Sequence, residues 1–147
     1  MFNYGAIQEA LGKPSGHGTY EGSATMWTEF TSNFAKTVVP LVNPIMENQG
    51  KTALYNTVYL GLQTPGGFIT ALKAGLAAYS GFLVQGMLPT FAGIPPPAPV
   101  MNEVALAMGM AGVPGAQVMK AHYLAITVYF QTGTATNVNT GAVVKWL

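Results

Sequence analysis

The chain has 147 residues and carries six Lys, five Glu and two His, with no Asp, Arg or Cys; an average chain of this length would carry about 37 charged residues. Six scattered lysines exclude nucleic acid as the main partner, because backbone binding needs clustered cations that release counterions. The lack of Cys excludes disulfides, thiolate catalysis and cysteine metal sites.

Apolar residues make up 50% of the chain, so composition favours a single folded domain. Eleven charges cannot cover the roughly 7,000 Å² of a folded monomer this size at the usual charge density. A second surface is therefore expected, either a lipid bilayer or neighbours in an assembly.

Residues 1–22 read as an N-terminal arm, broken by Gly12, Pro14, Gly16, Gly18 and Gly22, with at most a short helix near Tyr4–Leu11. Met1-Phe2-Asn3-Tyr4-Gly5 lacks the basic region and apolar core of a signal peptide, so folding in a cytoplasm without Sec export is expected. A helical domain follows over 23–133. Ser23 is positioned to cap a helix carrying Trp27, Phe30, Phe34 and Val38 on one face, with Pro40 ending it and Pro44 closing the region. Lys51–Leu62 continues the helical spacing, although its Thr and Tyr content also suits a strand.

Thr64-Pro65 predicts an N-cap followed by Pro at the first helical position. Phe68, Ile69, Leu72, Leu76, Tyr79 and Leu83 then share a helix face, and Gly86 marks the end. Residues 89–99, centred on Pro95-Pro96-Pro97, predict an extended Pro-rich connection between two halves. A short helix is predicted over Met101–Met110, and another opens at Pro114 with Val118, His122, Ile126 and Phe130 before Gly133 stops it. The tail, 134–147, is rich in Thr, Asn and Val; Asn139-Thr140-Gly141 predicts a turn, and Val143 to Trp146 a final strand. The expected fold class is mainly α, with a short β element at the C-terminus.

Chemistry is thin. No His/Glu pair has metal-ligand spacing, and no cofactor, metal or catalytic group is expected. His17 stands alone, His122 sits on an apolar helix face, and Glu9, Glu21, Glu29, Glu47 and Glu103 are separated. Catalysis would have to rest on His122 and one of these carboxylates, without an implied nucleophile. Gly12-Lys13-Pro14 does not make a phosphate loop. Trp27, Phe30 and Phe34 suit a core, and as aromatics they also suit an interface. Pro95, Pro96 and Pro97 lack the basic flank of a Pro-rich ligand and suit a spacer or a contact. Met101, Met108 and Met110, with Met119 beyond, suit an adaptable helix interface. Residues 67–88 are the one stretch able to span a bilayer, but Lys73 lies about seven residues inside it.

Three features together resemble small structural proteins of tailed-phage virions, near the tail or baseplate. They are the low-charge Ala/Gly/Thr-rich body with its Trp-containing early helix, the run Gly93-Ile94-Pro95-Pro96-Pro97, and the tail from Thr132-Gly133-Thr134-Ala135-Thr136-Asn137 through Thr140-Gly141 to Trp146. The resemblance is compositional. It implies a non-enzymatic homo-oligomeric subunit, assembled in a host cytoplasm and held in the virion by copies of itself and other structural subunits. On this reading both ends make intersubunit contacts, with Val143 and Trp146 as tail anchors and Trp27, Phe30, Phe34 and Pro95–Pro97 as further interface residues. The alternative is a small membrane protein using residues 67–88.

Overall fold

The computed structural model describes residues 19–65, 67–97 and 115–146. The chain is mainly helical, with helices α1 (Tyr20–Val38), α2 (Pro44–Gln63), α3 (Phe68–Gly86) and α4 (Gly115–Gln131). Strands β1 (Phe91–Ile94), β2 (Thr134–Asn137) and β3 (Val143–Lys145) form one antiparallel sheet in the order β1-β2-β3. Most of the predicted arm, and the predicted helix at Met101–Met110, lie outside the described residues.

Local chemistry sets the helix ends, in places differently from the sequence reading. Thr19, not Ser23, caps α1: its hydroxyl accepts from the Gly22 N–H at 2.9 Å, and Glu21 sits favourably in the first turn. Pro44 opens α2 instead of closing the preceding region, because Asn43 caps that helix by accepting from the Ile45 N–H. Lys51–Leu62 is helical, within α2. Thr64 is used backwards. Its N–H donates to Gly61 and its hydroxyl to Leu60, so it closes α2, and α3 starts beyond Pro65 at Phe68.

The first three helices run up, down and up. Ser32 bonds Glu47, and Lys51 pairs with Glu29 at 2.7 Å, which sets α1 antiparallel to α2. α2 and α3 approach closely because glycines line their contact. A Cβ at Gly61 would fall 2.1 Å from that of Ala71, and one at Gly75 2.7 Å from Leu54 Cδ1. α4 lies against α1 and α3, parallel to both. Tyr123 makes tilted ring contacts with Trp27 and Phe30, Phe34 and Tyr79 pack on Phe130, and Ser80 bonds Tyr129.

Burial follows from this packing. Leu54, Val58, Leu72, Leu76, Leu83, Tyr123, Ile126 and Phe130 are fully buried, each aliphatic or aromatic side chain contributing about 1.5–3 kcal/mol. Trp27, Phe30 and Phe34 belong to this core. They are inward residues of a single chain and not a free interface stripe.

The sheet sits at the bundle end where α1, α3 and α4 finish. β1 leaves α3 through a turn, its Phe91 N–H donating to Met87 O, and β2 follows α4 after Gly133. The Pro-rich connection is therefore not extended spacer throughout: its Phe91–Ile94 portion is a strand whose partner is the C-terminal tail. The tail in turn packs on its own chain. Trp146 is fully buried with its ring on Gly133, where a Cβ would lie 2.4 Å away, and Ala135 joins the same core. Trp146 therefore anchors the tail within its own subunit, not a neighbour. Its turn spans Val138–Thr140, with Asn137 Oδ1 accepting from the Asn139 and Thr140 N–H groups and Gly141 at φ +71°.

Candidate interaction surface

Apolar side chains that remain exposed are concentrated at the sheet end. Among the described residues, eleven large apolar side chains are exposed, and seven of them lie there: Leu41, Ile45, Leu88, Ile94, Val138, Val143 and Val144. The α1–α2 connection reaches this end through the Asn43 N–H, which donates to Gly86 O at 2.8 Å, and the Val138 N–H ties the tail turn to Thr90 O. The charged groups described near it are Lys36, Lys145 and the buried Glu47.

Pleating sorts the sheet into two faces. The register aligns Ala92, Thr136 and Val143 in one row and Ile94, Thr134 and Lys145 in the next, all on the outer face. Ala92, Ile94, Val143 and Lys145 are exposed, and among the described residues no element covers this face. The other face carries Gly93 against Val84 and Met87, then Ala135, Val144 and Trp146. Pro95 and Pro97, beyond β1, are exposed, whereas Pro96 is buried.

The two sheet edges differ. Along β1 the Phe91 N–H is taken by Met87 O, and Pro95, just past the strand, has no N–H to offer. The β3 edge has neither guard. Trp146 N–H donates to Gly133 O, and Asn137 N–H to Ala142 O, so Ala142, Val144 and Trp146 turn their backbone groups toward β2. By the alternation of an antiparallel ladder, Val143 and Lys145 turn theirs outward.

The residues that suggested chemistry are placed elsewhere. His122 is buried between rings, 5.4 Å from the Trp27 centroid and 5.5 Å from that of Phe68. Glu21 and Glu29 are exposed on α1. His17, Glu9 and Glu103, and the side chain of Met119, lie outside the described residues, as do Met101, Met108 and Met110. Among the described residues no group of three or more His or Glu converges as a metal site.

One polar cluster escaped the sequence reading. Glu47 is buried and accepts from Ser32 Oγ at 2.5 Å and from Tyr79 OH at 2.7 Å, with Lys36 Nζ 3.9 Å from its other oxygen. These residues come from three helices and are far apart in sequence, and Glu47 alone looks like a first-turn residue favouring the helix dipole. The cluster ties α1, α2 and α3 together, and its chemistry is that of a satisfied buried carboxylate.

The buried phenols predict a pH dependence. Burial raises the Tyr79 pKa most, and hydrogen bonding and proximity to the Glu47 carboxylate raise it further. Burial pushes Tyr123 up to about 12 and raises Tyr129, the latter partly offset by its Ser80 bond. In the unfolded chain these phenols ionise near pH 10. The folded state holds their protons longer, so their contribution is complete below about pH 10 and is lost as pH climbs toward the folded values. Urea melts should show stability falling across about pH 10–12. Tyrosinate absorbance should rise late for the buried phenols and only with unfolding.

No family model, curated protein or solved structure matches this chain.

Proposed function

We propose that this chain is a non-catalytic structural subunit that works by assembling with copies of itself and with other structural subunits. The observation that carries this reading is the sheet end, where seven of the eleven exposed large apolar side chains among the described residues gather on a chain with 7% charged residues. Exposed apolar patches rimmed by few charges are the usual mark of a contact surface. Low charge also lowers the cost of burying such a surface, because few ions must be desolvated. The compositional resemblance to tail and baseplate proteins makes a phage virion the proposed setting, with assembly in the host cytoplasm.

Sedimentation velocity across a concentration series tests the reading. The purified chain should form species larger than a monomer, with the fraction rising with concentration. A monodisperse monomer throughout, without lipid or partner, would count against it.

A second reading, a membrane protein, is favoured by one observation: by length and composition α3 is able to cross a bilayer, and much of it is not buried against the rest of the chain. Against it, the Tyr79–Glu47 and Ser80–Tyr129 bonds tie that helix to its neighbours through polar groups. Carbonate extraction with and without detergent separates the two, since retention in the membrane pellet together with release only by detergent supports the bilayer reading.

A further inference from the structure

We propose that the open β3 edge pairs with the β3 edge of a second copy, antiparallel about a two-fold axis at Val144, joining two three-stranded sheets into one of six strands. The inference rests on the assembly reading above and names its contact.

The ladder parity makes the edge self-complementary. Val143 and Lys145 each turn one N–H and one C=O outward, symmetrically about Val144. An antiparallel copy centred on Val144 sets Val143 opposite the second copy's Lys145, and Lys145 opposite its Val143. Each pair exchanges two backbone bonds, so all four outward groups of both strands are satisfied without remainder. A two-fold at Val143 or at Lys145 would leave outward groups of one residue unmatched within the strand.

Side chains and charge fit the same register. Val144, 39% exposed, meets its own copy across the axis, in the closely spaced non-hydrogen-bonded position. Val143, 69% exposed, lies beside the aliphatic stem of the second copy's Lys145. The two lysines, the only charges on the strand, are not opposite each other. β1 suits this role less, since the Phe91 N–H is taken by Met87 O and Pro95 has no N–H, which leaves Gly93 as the one outward donor of that strand.

The chain has no Cys, so a single engineered thiol reports the contact cleanly. Val144→Cys brings two thiols together across the axis, where directly opposed Cβ atoms lie about 4.5–5.5 Å apart. Under mild oxidation it should form covalent dimers at least about tenfold faster than Val128→Cys, a comparably exposed position on α4, because pairing raises the local thiol concentration. Adding Val143→Pro should return the rate to that control. This substitution deletes only an outward N–H and leaves the internal ladder bonds intact. Far-UV circular dichroism checks the fold, and Lys145→Pro, which deletes the other outward donor, serves if the first variant is unfolded.

If Val144→Cys cross-links no faster than Val128→Cys, or if neither proline slows it, the pairing is overturned. Wild-type sedimentation separates this from the broader reading. Large species without cross-linking sink the β3 contact alone, including the case where a neighbour's arm occupies the edge. Cross-linking in a chain that stops at a dimer supports the contact and overturns the larger assembly.

Discussion

Trp146→Ala should cost about 3–5 kcal/mol, since it empties the pocket of a fully buried indole. Against a typical net stability of about 5–15 kcal/mol, that is enough to threaten the fold. Trp146 is the bond between sheet and bundle: its ring covers Gly133 at the exit of α4, and its N–H holds the β3 end to Gly133 O. Its indole Nε1 has no hydrogen-bond partner among the described residues, so the contribution expected of it is apolar packing. Gly133→Val attacks the same pocket from the other side, because any Cβ there collides with the ring. In a Trp27→Phe background, Gly133→Val should shift the remaining tryptophan emission to the red and lower the urea midpoint. A blue, unshifted emission with an unchanged midpoint would show that the ring does not rest on Gly133.

Glu47→Ala is the second large effect. It strands the Ser32 and Tyr79 hydroxyls in the interior, and each orphaned buried hydroxyl costs about 1–3 kcal/mol. The expected loss is about 2–5 kcal/mol in total, including the small cavity. Glu47→Gln should cost less, since one acceptor oxygen remains for the two hydroxyls. The Lys36 pair adds little, being 3.9 Å long with Lys36 largely exposed. Replacing all three partners, Ser32→Ala, Glu47→Leu and Tyr79→Phe, should recover much of the loss, because no buried polar group is then left over. Denaturant melts of the single and triple variants give the comparison. A triple variant as unstable as Glu47→Ala would mean that shape, and not hydrogen bonding, sets the cost.

Much of the local structure was legible in the sequence. Trp27, Phe30, Phe34 and Val38 repeat at helical spacing and form the buried face of α1, and Pro40 follows its end. Gly86 ends α3, Gly133 follows the end of α4, and Val143–Lys145 is the final strand. These features depend on neighbours within a few residues: periodicity selects a face, and Pro or Gly removes the helical option. The helix starts were less legible. Ser23, Pro44 and Thr64 were each compatible with a cap or a stop on either side, and only the hydrogen bonds actually made by Thr19, Asn43 and Thr64 decide between them.

What the tertiary structure alone decided is which apolar groups are spent inside the chain. Composition raises the expectation of a covered surface without saying which residues face it, because Trp146 and Val143 carry the same apolar signal in sequence. Gly133 makes room for one ring, and the strand pleat turns the other side chain outward. The short β1 strand was hidden for a related reason, since four residues flanked by prolines have too little pattern to be read without their partner β2. The Ser32–Glu47–Tyr79 cluster likewise exists only because three helices converge, a juxtaposition of residues 15 and 32 positions apart that no local spacing encodes.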